Sequence, residues 1–364
     1  MLGTSILVAA VENFVLFSTV FAVATFAVAL IVRQITIREL WRPKAASLAR
    51  YYAAALLVPP SASLWLVAAA LLPRLWLTPE VFAAEHSTPH QFHLFGELAI
   101  AVEPALGYTM AGFLIVIASV VVWFNLRASW RVGNVVEKLD MHAAAPPTEQ
   151  VTLVNKVAKR AGLSVGLVMS DYPLSFVWGF RHSKLILSSG LLRTLSGPEL
   201  AGVLEHEAAH HERRDNLIKL LLSLCSYCSL AFPLSRLIVG WRATEVEILC
   251  DEVAAARTSE PLEIAEALVK LRRQTMAGSL ISEPMPTHAV ASSFVSDSAL
   301  TFQRRVVRLL TLVDAPALLP TGCRSNMART SALLFAASII MLSGILLFAP
   351  LSIHHAAEAL IGIK

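Results

Sequence analysis

The sequence predicts a mostly α-helical membrane protein in which an α+β domain is inserted between the third and fourth of four membrane-spanning helices. Of its 364 residues, 56% are hydrophobic and 15% are charged, whereas soluble domains carry charge on about a quarter of their residues. The apolar residues are concentrated in four long runs without charge. A stretch of ordinary polarity, about 200 residues long and large enough for a core of its own, separates the last two runs.

Each charge-free run is long enough to cross a hydrocarbon core of about 30 Å as a helix. The first three runs are residues 13–32, 51–73 and 104–126, and the fourth begins at residue 330. The first run is predicted to be a retained helix and not a cleaved signal peptide, because basic residues follow it and none precede it. We therefore divide the chain into residues 1–126 with three spans, the inserted domain 127–329, and residues 330–364 with the fourth span and a short outer tail.

The distribution of basic residues predicts the topology. The loop after the first span carries five basic residues, Arg33, Arg38, Arg42, Lys44 and Arg50. The loop after the second span is mainly acidic. The positive-inside rule then places the inserted domain in the cytoplasm and both termini outside. The sequence pI of about 9.0 is explained by these residues facing anionic lipid, so we expect the lipid bilayer as a partner and no direct contact with nucleic acid.

A metal-binding motif, His206-Glu207-Ala208-Ala209-His210, lies in the inserted domain. Ser196 and Glu199 form a capping box before it, which predicts that the motif lies on a helix. Histidines four residues apart share one face of a helix, so both imidazoles can reach one ion. Glu207 is placed to hold a water at that ion. The pattern predicts one catalytic Zn²⁺, although short motifs of this kind also occur by chance on surface helices.

Catalytic zinc needs a third protein ligand, and Glu247 is the first candidate. If this segment is helical, Asp251 lies one turn beyond Glu247 and can accept the outer N–H of a ligating histidine. Glu245 and Glu252 are the rival ligands; Glu245 ranks second because no acid follows it at four residues. Asp251 could equally be a solvated charge on a helix face.

The apolar segment 220–235 lies between the motif and Glu247. A single crossing of the bilayer by this segment would put the ligands on opposite sides of the membrane. Because it is too short to span and Pro233 interrupts it, we expect a segment that dips into the membrane and returns to the same side.

The order of these features resembles the BlaR/MecR family of integral-membrane zinc metallopeptidases, within the wider HtpX-like gluzincin group. The resemblance is carried by the segment 184–191, the motif helix with the polar stretch to Asp215, the apolar segment with Pro233, and Glu247-Ile-Leu-Cys-Asp251. It implies a gluzincin-type zinc domain in which His206, His210 and Glu247 bind the metal. It also implies that Glu207 is the general base and acid of a zinc metalloendopeptidase.

The resemblance further implies a multi-pass protein of the bacterial inner membrane that cleaves a protein substrate, such as a small winged-helix repressor, in regulated proteolysis. An HtpX-like protease for membrane-protein quality control and a non-proteolytic zinc-binding signalling scaffold remain alternatives. Only a short tail follows the fourth predicted span, so we expect no fused β-lactam sensor. A trigger would then act through the membrane helices, the outer loop, a homodimer or a membrane sensor partner.

Three short β-rich runs precede the motif, at residues 165–169, 175–178 and 184–187, and predict a small antiparallel sheet. The run Ser175, Phe176, Val177 and Trp178 is a candidate edge strand on which an extended substrate could pair, although an interior strand is equally compatible with it. An oxyanion stabiliser is also expected, with His288, Arg304 and Arg305 as candidates.

Overall fold

The computed structural model describes residues 2–38, 44–77, 90–94, 98–102, 148–179, 183–278, 292–293 and 298–315, with isolated residues between 109 and 130. It begins with two long helices, α1 (Leu2–Ile37) and α2 (Ala45–Leu77). Within them, Asn13–Ile37 and Ala45–Ala68 are long and apolar enough to cross a membrane. Only 22% and 33% of their most apolar windows are buried, so most of this apolar surface faces outward, unlike that of a soluble core helix.

These two helices contain the first and second predicted spans. The third, 104–126, is described only in part, and the fourth lies outside the described residues. In the predicted outer loop, β1 (His90–Leu94) pairs with β2 (Leu98–Val102) as an antiparallel hairpin that the sequence did not lead us to expect.

The inserted domain begins with α3 (Thr148–Ala161). Gly162 follows it with a positive φ of 71°, a conformation that glycine adopts without a steric penalty. The Leu163 N–H then donates to the Ala158 carbonyl at 2.9 Å, and the Gly162 N–H donates to the Lys159 carbonyl at 3.3 Å. This pair of bonds satisfies two carbonyls at the helix end and turns the chain into the sheet.

The sheet contains β3 (Ser164–Val168), β4 (Ser175–Trp178), β5 (Lys184–Ser188) and β6 (Ser292–Ser293), in the order β3-β5-β4-β6. The prediction of an antiparallel sheet was wrong in one pairing, because β3 runs parallel to β5 while β4 is antiparallel to both of its neighbours. The prediction that β4 is an edge strand was also wrong. β5 pairs with one side of β4, and β6 pairs with the other side at Phe176 and Val177.

Helices pack against one face of this sheet and against each other. In chain order they are α4 (Ser189–Thr194), α5 (Gly197–Glu212), α6 (Asp215–Ser226), α7 (Phe232–Thr258), α8 (Pro261–Gly278) and α9 (Ala299–Asp314). The main core joins Leu185 and Leu187 of the sheet to Leu204 of α5, Leu268 of α8 and Leu309 of α9, all of them at most 2% exposed.

The apolar segment 220–235 forms the tip of a helical hairpin. α6 ends at Ser226, residues 227–231 turn, and α7 begins at Phe232 and returns. Pro233 lies in the first turn of α7, where its missing N–H has no partner to lose. At the tip, the Leu230 N–H donates to the Thr19 hydroxyl of α1 at 3.0 Å, and Leu222 and Ile238 pack with α1 and α2. The chain therefore returns to the side of the domain from which it came.

Candidate metal centre

Helix α5 carries the HExxH motif and is fixed at its start by the predicted capping box. The Ser196 N–H donates to the Glu199 carboxylate at 2.8 Å, and the Glu199 N–H donates to the Ser196 hydroxyl at 3.4 Å. Lys270 of α8 lies 2.5 Å from the same carboxylate, which is nearly completely buried. Burial alone would raise the pKa of Glu199, but Lys270 and the bonds from Ser196 outweigh it and lower that pKa.

Three side chains from α5 and α7 converge in the interior, as the sequence led us to expect. His206 Nε2 lies 3.1 Å from His210 Nε2, and the Glu247 carboxylate oxygens lie 3.4 and 3.5 Å from these two nitrogens. A tetrahedral zinc site with bonds of about 2.0–2.1 Å has ligand–ligand edges of about 3.3–3.4 Å. The distances between the two imidazole nitrogens and the carboxylate oxygens therefore fit a tetrahedral zinc ion, with a fourth position left open.

The rival ligands Glu245 and Glu252 are paired elsewhere. The Arg304 guanidinium donates to Glu245 at 2.6 Å, and the Arg308 guanidinium donates to Glu252 at 2.7 Å. Both arginines lie on α9. Of the three acids on α7 that the sequence offered, the structure brings Glu247 to the histidine pair.

The outer nitrogen of each histidine faces its own aspartate. His206 Nδ1 lies 2.8 Å from Asp251, and His210 Nδ1 lies 3.1 Å from Asp215. A carboxylate at Nδ1 favours the tautomer whose Nε2 lone pair is free for a metal. The sequence prediction included Asp251 but gave no role to Asp215. Asp215 reaches His210 because Arg214 adopts a left-handed conformation with φ 56°, which reverses the chain after α5.

Arginines keep both aspartates ionised. The Arg305 side chain is fully buried and donates to Asp251 through Nε at 2.7 Å and through a terminal nitrogen at 2.8 Å. Burial acts to raise the pKa of Asp251, but Arg305 and His206 outweigh it and lower the pKa. Arg213 and Arg242 do the same for Asp215, whose pKa falls to about 2. The remaining terminal nitrogen of Arg305 lies 3.4 Å from Glu247, so this guanidinium contacts both carboxylates.

Cys250 also lies in this interior, with its sulfur 3.5 Å from His210 Nδ1 and 4.0 Å from Asp215. These three residues have metal-ligating atoms close together. The guanidinium groups of Arg213 and Arg242 at Asp215 already balance its charge and would repel a cation, so we assign no metal to this group. Of the remaining oxyanion candidates, Arg304 is bound to Glu245, and His288 lies outside the described residues.

Glu207 is fully buried beside the ligand atoms. Neither of its carboxylate oxygens has a hydrogen bond of normal geometry within the described part of the chain. Burial raises the pKa of Glu207, whereas the two histidines and the nearby Ser175 hydroxyl of β4 act to lower it. A buried carboxylate without a partner is costly, and sites for ligands and catalysis are where folds retain one.

Residues 149–280 match the sequence model of Peptidase family M48. This part of the chain is a zinc metalloprotease. Its curated relatives include proteins named "Protease HtpX homolog". The one from Gemmatimonas aurantiaca is 26% identical over 212 residues, covering 48% of this chain and 75% of the relative.

The homologue from Thermococcus kodakarensis is 32% identical to the protease over 122 residues, covering 32% of this chain and 40% of the relative. The homologue from Methanopyrus kandleri is 28% identical over 169 residues, covering 39% and 50%. The protease thus spans three quarters of the first relative and half or less of the other two. The resemblance to HtpX-like proteases is supported, and its narrower placement with BlaR/MecR remains a prediction.

Proposed function

We propose that the chain is an integral-membrane zinc endopeptidase that hydrolyses peptide bonds at the cytoplasmic membrane face. His206, His210 and Glu247 would hold one zinc ion, and Glu207 would act as general base and then as general acid. The observation that carries this proposal is the position of Glu207, which is buried beside the ligand triad with both oxygens free of protein hydrogen bonds in the described structure.

Zinc, when bound, lowers the pKa of water and polarises a carbonyl group. Glu207 accepts a hydrogen bond from the attacking water, removes its proton and later delivers that proton to the leaving amine. Asp251 and Asp215 keep the Nδ1 protons of His206 and His210 in place, so that both Nε2 atoms stay directed at the metal. Without the ion, neighbouring acidic groups outweigh burial and raise the pKa of both histidines, so protons compete with zinc for this site.

We also propose that α1 and α2 span the inner membrane of a bacterium, with both termini outside and the protease domain in the cytoplasm. The outward-facing apolar surface of both helices supports this arrangement, as do the basic residues between them. The tip of the α6–α7 hairpin would enter the bilayer, because it packs on α1 at Thr19 within the first span.

Two substrate classes fit this enzyme. The BlaR/MecR resemblance favours regulated cleavage of a small winged-helix repressor, with a homodimer or a membrane sensor partner supplying the signal. The alternative, an HtpX-like protease for quality control of membrane proteins, is compatible with relatives named "Protease HtpX homolog". Incubating the enzyme in liposomes with a purified repressor of this class and with an unfolded membrane protein separates the two classes by which of them is cut.

The proposed function is tested by purifying the wild type and Glu207→Gln in detergent and measuring bound zinc and cleavage of casein and of the chain itself. We expect zinc in both and a rate that is about 10³-fold lower in the variant, a typical share for general acid–base catalysis. Glu212→Gln, an exposed change on the same helix, is the matched control and should keep the wild-type rate. Zinc without cleavage in any of the three proteins would favour the scaffold alternative, and absence of zinc would refute the site.

A further inference from the structure

One level of the structure is marked by aromatic and basic side chains from several helices. The Arg33 guanidinium of α1 lies 4.7 Å above the Trp241 ring of α7, and the Tyr52 ring of α2 lies 6.0 Å from the same tryptophan. Tryptophan, tyrosine and arginine concentrate where a bilayer meets water. We call the level of Arg33, Tyr52 and Trp241 the aromatic belt.

Apart from Arg236 of α7, the belt is also where charge ends in the helices that pass it. Leu222 of α6 and Ile238 of α7 belong to one apolar cluster. Lys219 and Trp241 each lie three residues further from the hairpin tip on these antiparallel helices, so they lie at the same level. On the hairpin side of the belt, residues 13–32, 51–73 and 220–235 contain no charge. The four helices therefore agree on one boundary between polar and apolar surroundings.

The hairpin continues well below this boundary. Leu230 at its tip lies eleven residues before Trp241, which corresponds to about 16 Å of helix and so to about half of the hydrocarbon core. Leu221, Leu230 and Leu237 are each about half exposed, as expected of side chains that face lipid. Arg236, the described charge on this part of α7, contacts the Tyr227 hydroxyl and lies close enough to the belt for its long side chain to reach the interface.

The same helix fixes the height of the metal site. Glu247 follows Trp241 by six residues on α7, which is a rise of about 9 Å. A second helix gives the same distance. Ala45 and Ala49 of α2 pack in one cluster with Ala209, the neighbour of His210, and Ala45 lies about 10 Å before Tyr52 along α2.

We propose that this protease selects its scissile bond by height above the bilayer and cuts membrane-anchored polypeptides in the first few residues outside their embedded segment. This inference assumes the proposed function. An extended chain advances about 3.3–3.6 Å per residue, so a height of about 9 Å corresponds to three residues at the least. A slanted or coiled path lengthens this to about ten residues, which defines the expected zone of cleavage.

The test uses the full chain in liposomes with a model substrate, a single membrane helix followed by a flexible tail of identical short repeats. Every repeat offers the same bond, so height alone distinguishes them. We expect mass spectrometry to find the cuts within about ten residues of the membrane helix. A second substrate whose membrane helix is lengthened into the tail by three leucines should be cut further along the tail. The tail alone in solution should be cut at least about tenfold more slowly than the anchored tail, because anchoring raises its effective concentration.

Casein and Glu207→Gln are included to distinguish a failure of selection by height from a failure of the proposed function. If casein is cut but the cuts spread evenly along the anchored tail, or the free tail is cut as fast as the anchored one, selection by height is wrong and the proposed function stands. If the wild type cuts neither casein nor any tail above the rate of Glu207→Gln, the proposed function fails, and selection by height fails with it.

Discussion

Glu205 and Glu207 lie two residues apart on α5, both are buried, and their surroundings are opposite. The Glu205 carboxylate lies 2.5 Å from Arg160 and 3.2 Å from Arg257, and the same arginines reach Glu212. Glu207 has no such cation within the described residues and faces the two histidines and Glu247. One helix thus carries a fully compensated carboxylate on one side and an uncompensated one on the other.

The difference suggests two roles: the paired Glu205 stabilises the fold, and the unpaired Glu207 is the candidate for catalysis. A carboxylate taken out of water costs several kcal/mol unless it is paired, and the arginines supply that pairing for Glu205. Glu207 lacks such a pair, and in the proposed mechanism a pairing cation would occupy the oxygens that hold the water. Helix α7 shows a weaker form of the contrast. Arginines of α9 bind Glu245 and Glu252 at 2.6 and 2.7 Å, whereas Glu247 faces the histidines and has Arg305 of α9 at 3.4 Å.

The strongest test of this contrast is the removal of Glu247, the proposed third ligand. Glu247→Gln should lower zinc affinity by more than about 100-fold, since loss of even an outer partner of a ligand costs about 10–100-fold. The measurement is zinc release against a chelator of known affinity. Glu252→Gln is the control on the same helix and should bind zinc as the wild type does. Equal zinc loss in both variants would contradict the assignment of Glu247.

A smaller effect is expected at Asp215, which contacts His210, a proposed ligand, at 3.1 Å. Asp215→Asn keeps the shape and an acceptor oxygen but removes the charge, so zinc affinity should fall by about tenfold. The same chelator titration measures it. Asp171→Asn, an exposed change at a residue paired with Arg193, should have no effect on zinc. Unchanged zinc affinity in Asp215→Asn would show that His210 needs no carboxylate.

On the compensated side of α5, the expected effect is on stability alone. Glu205→Gln should lower the free energy of unfolding by about 1.5–3 kcal/mol, the range for hydrogen bonds to charged groups. The rate per folded molecule should stay at the wild-type value. Denaturant unfolding together with casein cleavage measures both quantities. A Glu205→Gln protein that is stable but inactive would contradict the assignment of Glu205 to stability alone.

The smallest effect concerns pH and Glu199. Its pKa is lowered in the folded state, so its ionised form stabilises the fold at neutral pH, and this contribution is lost as pH falls below the ordinary value near 4.5 and through the lowered one. Glu199→Gln should therefore unfold at a lower temperature than the wild type at pH 7, and the difference should shrink toward pH 3. Glu260→Gln, an exposed change, should show no such convergence.

The local parts of the site were predictable, and the long-range parts were not. Histidines four residues apart and an acid followed by another acid one helical turn later are visible in the sequence, because helical spacing alone puts them on one face. Asp215 depends on the left-handed Arg214, which no propensity rule favours. Arg305 reaches Asp251 only when α9 docks on α7, across 54 positions of the chain.

The sheet shows the same limit. The residues of β3, β4 and β5 were predictable to within one position, because their apolar content is local. Strand direction and neighbours are tertiary properties. Nothing in the pattern at residues 164–168 specifies a parallel partner, and the pairing of Ser292 and Ser293 with β4 joins segments more than a hundred residues apart. A strand therefore cannot be recognised as an edge from its own sequence.

The packing of α2 on the motif helix has a practical consequence for anyone who wishes to handle the catalytic domain alone. Ala45 and Ala49 cover Ala209 of α5 and Val246 and Leu249 of α7 directly, with no intervening layer. A shortened protein that begins at Thr148 would retain every residue of the metal centre and still expose this apolar seam beside His210. Its surface would need new polar side chains at these positions before it could stay in solution as a monomer.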